Sequence, residues 1–125
     1  MKKNKIIYWV ATAGITALML FSAYNYLLNP QMAEGFKHLC FSDNFRIELA
    51  IAKILGALVL IIPAIPLKIK EWAYAGFGIT FISASIAHAG SSDATAMVLI
   101  PIVFLIILMV SNIYLYKVKK VLTLI

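Results

Sequence analysis

The chain has 125 residues, of which 63% are hydrophobic and 13% are charged, whereas roughly a quarter of the residues in an ordinary soluble domain are charged. A chain this short buries only about two thirds of its surface on folding, so a water-soluble monomer would expose too much apolar surface. One cysteine excludes an internal disulfide framework, and a net charge of +6 scattered between apolar runs excludes a nucleic-acid-binding module. The sequence therefore predicts an integral membrane protein with a single domain over residues 1–125.

Four apolar segments predict four transmembrane helices. A helix rises about 1.5 Å per residue and needs about 20 apolar residues to cross the hydrocarbon layer of a bilayer. The second segment is the least apolar, because Arg46, Glu48 and Lys53 precede its aliphatic run at 54–62. The predicted spans are 6–28, 46–63, 72–89 and 95–116, and the predicted fold is an all-α, membrane-embedded four-helix bundle.

A cleaved signal peptide is the alternative interpretation of residues 1–25, because lysines precede the apolar run and Ser22 and Ala23 lie near its end. The apolar run is long for a signal peptide, and Phe21 fits poorly in a cleavage site that requires small residues. An uncleaved first helix is therefore the prediction.

The positions of the lysines predict that both chain termini are cytoplasmic, because positively charged residues near span ends stay on that side of the membrane. Lysines precede the first span, lie between the second and third spans, and follow the fourth span. They are Lys2, Lys3, Lys5, Lys68, Lys70, Lys117, Lys119 and Lys120. The predicted localisation is the cell membrane, with several passes.

The segment between the first two spans predicts a short helix on the outer membrane surface. Asn29 and Pro30 form a cap followed by a proline at the first helical position. Its apolar residues, Met32, Phe36, Leu39 and Cys40, then fall on one side. Cys40 cannot carry out a dithiol cycle alone, and with His38 it supplies too few ligands for a metal site. No metal site and no catalytic residues are predicted, and the sequence shows no enzymatic motif.

Polar residues that are costly to place in lipid gather in the outer half of the predicted bundle. They are Asn25, Arg46, Glu48, Lys53 and His88. Arg46 and Lys53 share one helical face, whereas Glu48 lies on another side. A simpler interpretation remains open for each: Arg46 and Glu48 mark the water interface, Lys53 extends its ammonium group outward along its own stem, and His88 forms a hydrogen bond at the interface.

Small residues predict close packing between helices. Gly76, Thr80 and Ala84 precede His88 at four-residue spacing, and Ala52 and Gly56 offer a similar seam on the second span. Small side chains allow helix backbones to approach closely in a membrane. These five residues are therefore predicted to pack helices together.

Four segments resemble the DoxX-like family of small four-helix membrane proteins. They are Lys5–Trp9, Phe36–Leu39, Ala52–Ala57 and Lys70–Phe77, and the resemblance covers nearly the whole chain. Ser85 and His88 fit the family's tendency toward serine and histidine in the third helix. The chain departs from the family pattern at Cys40, where glycine is common, and at Thr80, where some members carry an acidic residue.

The resemblance implies a four-helix bundle, with some relatives associated with redox enzymes, including a quinone-linked thiosulfate oxidoreductase, and others acting as assembly partners. The leading hypothesis is an accessory membrane protein whose outward-opening pocket, built from Asn25, Glu48, Lys53 and His88, binds a quinone-like small molecule. His88 is suited to proton transfer near neutral pH. The predicted partners are the bilayer and either a membrane redox enzyme or a second copy of the chain.

Two other classes remain open. A small proton-coupled transporter matches the size and number of spans, although the first span lacks the acidic residue that the small multidrug resistance family uses. A structural or assembly partner needs only the small-residue seams, and it predicts that substitutions in the pocket are silent.

Overall fold

In a computed structural model of the chain, the described residues are 2–90 and 93–124, and they form five α-helices. The helices are α1 (Lys2–Leu28), α2 (Pro30–His38), α3 (Asp43–Ile61), α4 (Leu67–Gly90) and α5 (Thr95–Leu124). Each predicted span overlaps one long helix, and the short helix expected after Asn29 is α2. The all-α prediction is confirmed. Between the third and fourth predicted spans, residues 91 and 92 lie outside the described residues.

α2 begins where the sequence predicts it. The side chain of Asn29 accepts a hydrogen bond from the backbone N–H of Gln31 at 2.9 Å, and Pro30 occupies the first helical turn. Proline is tolerated there because its missing N–H would have no partner within the helix. The chain therefore turns from α1 directly into α2.

α2 ends in a Schellman motif centred on Cys40. The N–H of Phe41 donates to the carbonyl of Phe36 at 2.8 Å, and the N–H of Cys40 donates to the carbonyl of Lys37 at 3.0 Å. This geometry places Cys40 in the left-handed region, with φ of 67°. Glycine is the usual residue at this position because it has no Cβ. The departure from the family pattern at Cys40 therefore falls where the backbone itself favours glycine.

The four long helices pack around a shared core. α1 contacts α3 and α5, α4 contacts α3 and α5, and α2 contacts α1 and α3. The core contains Tyr8, Ile15, Met19, Ala57, Leu60, Tyr74, Phe77, Phe81, Leu108 and Leu115. Every long helix contributes to it. Polar residues that lie among these apolar side chains are shielded from water, so they need partners on neighbouring helices.

Three buried hydroxyl groups connect α1, α4 and α5 within this core. The Ser111 hydroxyl lies 2.7 Å from the Thr12 hydroxyl and 2.6 Å from the Tyr74 hydroxyl. Thr12 and Ser111 are fully buried. Buried hydroxyl groups require partners, and this network supplies them while fixing the three helices in register.

The outer faces of the four long helices are apolar. Val10 is 68% exposed on α1, Leu55 59% on α3, Ile79 66% on α4 and Ile106 56% on α5. Two of the described helices are long and apolar enough to cross a membrane, namely α1 and the Thr95–Lys119 part of α5. An exterior of this kind is typical of a surface that faces lipid or a partner.

The predicted packing residues divide between a close contact and an open groove. A Cβ atom on Gly56 would lie 2.7 Å from Cζ of the Phe77 ring, so α3 and α4 approach closely at this point. A Cβ on Gly76 would meet nothing within 4 Å. A groove of about 320 Å³ runs between α3 and α4, and Ala52, Gly56, Gly76 and Thr80 all lie along it.

Candidate functional site

Lys53 is the central polar residue of the candidate site. It lies on α3, is only 5% exposed, and packs against α1. Its Nζ donates hydrogen bonds of 2.9 Å to the hydroxyl groups of Ser22 and Tyr26 and lies 4.0 Å from the centre of the Tyr26 ring. The ammonium group is therefore held inside the protein, against α1.

No ion pair among the described residues includes Lys53. An ammonium group has three N–H donors, and the two hydroxyl groups accept two of them. A buried charge normally requires a paired charge or a full set of hydrogen bonds. Among the described residues, two hydroxyl groups and the face of the Tyr26 ring stabilise the ammonium group, and its third N–H can donate to another molecule.

Arg46 supports the same region from one side. Its guanidinium group donates to the backbone carbonyl of Tyr26 and lies 3.6 Å from the carboxylate of Asp43. The carbonyl belongs to the last turn of α1, where carbonyl groups lack partners within the helix. Arg46 and Lys53 share a face as predicted, and both hold Tyr26 in position.

A cavity of about 410 Å³ lies beside Lys53, at the end of the molecule where α2 packs. Its polar lining groups come from three helices: α1 gives Ser22, Asn25 and Tyr26, α3 gives Lys53, and α4 gives Thr80 and His88. Apolar side chains surround them, namely Leu18, Phe21, Met32, Phe81, Ala84, Met97, Ile100, Pro101 and Phe104. Ligand sites of this size commonly combine an apolar wall with a few convergent polar groups.

The α5 wall of this cavity includes a proline, Pro101. Pro101 lies inside α5 and has no N–H, so it leaves a carbonyl of the preceding turn without its helical partner. The hydroxyl of Ser85 on α4 donates to the nearby carbonyl of Val98 at 2.7 Å. This bond ties α4 to α5 at the cavity wall.

A carboxylate links the cavity to the protein surface. His88, which lines the cavity, places its Nδ1 2.7 Å from one carboxylate oxygen of Asp93, and His38 on α2 places its Nε2 2.8 Å from the other. His38 is 57% exposed, whereas His88 and Asp93 are each 19% exposed. The hydrogen bonds from His88 and then His38 hold the pKa of Asp93 below its usual range.

Three of the four residues predicted to form the pocket line this cavity. Asn25, Lys53 and His88 lie on α1, α3 and α4 respectively. Glu48 is exposed on α3 and is not among the described residues that line the cavity. The rotation of Glu48 away from the Lys53 face, which the sequence predicts, accounts for its position.

Sequence reasoning missed four residues of this region. Ser22 and Tyr26 could have been found, because two hydroxyl residues four positions apart lie on the same face of α1. His38 and Asp93 could not have been found, because they are 55 residues apart and meet only when α2 packs beside the connection between α4 and α5.

The arrangement can bind a small molecule that accepts hydrogen bonds. Lys53 offers a charged donor, Asn25 an amide and His88 an imidazole that can donate or accept. Three potential metal ligands also meet at His38, Asp93 and His88, but the described residues contain no group of three or more His, Cys, Asp or Glu residues suited to a metal ion.

The fold and the site define an all-α protein with an apolar exterior, two helices able to span a membrane, and a cavity built around a buried lysine. The model of the DoxX-like family matches residues 10–111. The chain belongs to the DoxX-like family, and the resemblance found in the sequence is confirmed. No curated protein and no solved structure matches the chain.

Proposed function

We propose that the chain is a multi-pass membrane protein, a four-helix bundle with both termini in the cytoplasm, whose cavity binds a quinone-like small molecule. The apolar outer faces of α1, α3, α4 and α5 support four spans, because each would otherwise expose large aliphatic side chains to water. The position of the lysines supports the orientation.

The observation that carries the ligand proposal is the placement of Lys53. Its Nζ is buried beside the cavity; its hydrogen-bond partners among the described residues are two neutral hydroxyl groups, which leave one N–H donor for a ligand. A quinone has an apolar ring and carbonyl oxygens that only accept hydrogen bonds. The ring fits the apolar wall, one carbonyl accepts from Lys53, and the other accepts from the second amide N–H of Asn25.

The family resemblance implies an association with redox enzymes. In this proposal the protein is an accessory to a membrane redox enzyme and is not itself a catalyst. Affinity purification in mild detergent tests this partnership. A stoichiometric redox enzyme that co-purifies with the chain supports it, and recovery of the chain alone or only with itself contradicts it.

The ligand proposal is tested by binding to the purified protein in lipid nanodiscs. The probe is a dimethoxy-methyl-benzoquinone without a side chain, titrated by calorimetry against empty nanodiscs. A charge-assisted hydrogen bond contributes about 1.5–3 kcal/mol, so Lys53→Met is expected to weaken binding by about tenfold or more.

Lys68→Met is the matched control, because Lys68 is exposed at the start of α4 and lies outside the lining of the cavity. It is expected to bind the probe like the wild type. Size-exclusion chromatography and thermal unfolding show whether both variants fold. Equal binding by a folded Lys53→Met variant would contradict the proposal and favour a purely structural role.

A small proton-coupled transporter is the second candidate, and the hydrogen-bonded series His38, Asp93 and His88 favours it. These groups reach from an exposed helix to the cavity, as a proton path requires. Proteoliposomes with an imposed pH gradient discriminate the candidates. Substrate flux that follows the gradient supports transport, whereas quinone binding without flux supports the accessory role.

A further inference from the structure

The groove between α3 and α4 adjoins the cavity. Lys53 and Thr80 line both spaces, so the two meet at these side chains. From this point the groove continues along α3 to Val59 and along α4 to Ile69, toward the connection between the two helices.

The groove is apolar and open to the outside of the molecule. Its walls include Leu55, which is 59% exposed, Ile69, which is 44% exposed, and Trp72, which is 71% exposed. The glycine at position 76 leaves its floor empty, since a Cβ there would meet nothing within 4 Å. Apart from Lys53 at one end, its lining residues are uncharged.

We propose that the ligand of this protein is an amphiphile: its hydrogen-bond-accepting head lies in the cavity at Lys53, and its alkyl or isoprenoid chain lies in the groove between α3 and α4. This inference rests on the proposed function and specifies the class of molecule. Along α4 the groove runs from Thr80, beside the cavity, to Ile69, which at about 1.5 Å per residue is roughly 16 Å and is long enough for an extended decyl chain.

In the proposed membrane orientation, the groove opens toward lipid. Lys53 lies close to the middle of α3, and the groove leads from it toward the connection between α3 and α4, which is the cytoplasmic end. A ligand whose chain lies in this groove can enter sideways from the bilayer without crossing water.

The experiment compares two probes in nanodiscs, decylubiquinone and the same benzoquinone ring without a chain, with empty nanodiscs as the blank for partitioning into lipid. The test variant is Gly76→Leu, whose side chain would enter the groove. The control is Gly14→Leu, because Gly14 is also helical and a Cβ there meets nothing within 4 Å, but it lies on α1 away from the groove.

Gly76→Leu is expected to weaken decylubiquinone binding by about tenfold, the effect of removing roughly two methylene groups from an apolar site, and to leave binding of the chainless ring unchanged. Gly14→Leu is expected to bind both probes like the wild type. Equal binding of decylubiquinone by Gly76→Leu and the wild type would overturn the inference.

The two proposals fail in different ways. If Lys53→Met weakens binding of the chainless ring while Gly76→Leu leaves decylubiquinone binding intact, the head site stands and the groove proposal is wrong. If Lys53→Met has no effect on the chainless ring, the proposed function itself is wrong. If the protein binds neither probe above the blank, both are wrong.

Discussion

Two of the described lysines are buried, and their different partners separate a structural role from a binding role. Lys70 is 2% exposed, and its Nζ donates to the carbonyls of Val59 and Leu60 at 2.8 Å and 2.9 Å. These carbonyls lie in the last turn of α3, where they lack helical partners and attract positive charge. Lys70 therefore completes the end of α3, whereas Lys53 bonds hydroxyl groups beside an open cavity.

Gly56 and Gly76 provide a matched test of helix packing. An added methyl at Gly56 would collide with the buried Phe77 ring, so Gly56→Ala is expected to lower the free energy of unfolding by about 1–3 kcal/mol, the usual cost of overpacking. Gly76→Ala meets open space and is expected to raise it by up to about 1 kcal/mol through helix propensity. Thermal and denaturant unfolding in detergent measures both. A Gly56→Ala variant as stable as Gly76→Ala would contradict the close contact.

α2 packs against α1 and α3, and one carboxylate from another part of the chain also holds its C-terminal end. Asp93 bonds His38 at the end of α2 and His88 on α4, and these are the titratable groups in contact with it. Asp93→Asn removes the charge from both bonds, so the end of α2 is expected to become more mobile at neutral pH. A nitroxide attached to the exposed Cys40, one residue beyond the cap of α2, measures this by electron paramagnetic resonance.

In acid, the end of α2 in the wild type is likewise expected to become more mobile. The pKa of Asp93 in the folded protein lies below its ordinary value of 3.8. The carboxylate therefore stabilises the end of α2 fully above pH 3.8, and this stabilisation is lost as the pH falls through the pKa of the folded protein. Glu34→Gln on α2 serves as the control, and it should leave the label unchanged. Equal label mobility in Asp93→Asn and the wild type at neutral pH would show that this carboxylate does not hold α2.

The helices follow from the sequence more completely than the cavity does. Hydropathy and the cap at Asn29 are local properties, so the long helices and the start of α2 could be predicted from them. The neighbours of Lys53 depend on the rotation of α1 against α3, and the contact of His38 with Asp93 depends on where α2 packs. The angular positions of residues around α3 correctly separate Lys53 from Glu48. They do not show which face of the helix meets a cavity, and for this reason the predicted pocket includes Glu48, which does not line the cavity.

Two helices of the molecule are strongly apolar, and the less apolar α3 must pack with them in the membrane if the chain has four spans. α3 begins with charged residues, yet Arg46 and Lys53 point toward α1, while Leu55 and Ile51 on the outside are more than half exposed. Arg46 and Lys53 are thus turned inward, and the exposed Glu48 lies within two turns of the start of α3. Both features lower the cost of placing α3 in lipid and favour four spans over two.

The two topologies differ in where Lys68 lies. With four spans, Cys40 is outside and Lys68 is cytoplasmic; with only α1 and α5 spanning, both lie outside. A membrane-impermeant maleimide is therefore expected to label the natural Cys40 in intact cells. A Cys40→Gly, Lys68→Cys variant, in which glycine suits the left-handed backbone at position 40, is expected to react only after permeabilisation. Labelling of that variant in intact cells would contradict four spans, and with them the placement of the α3–α4 groove in the bilayer.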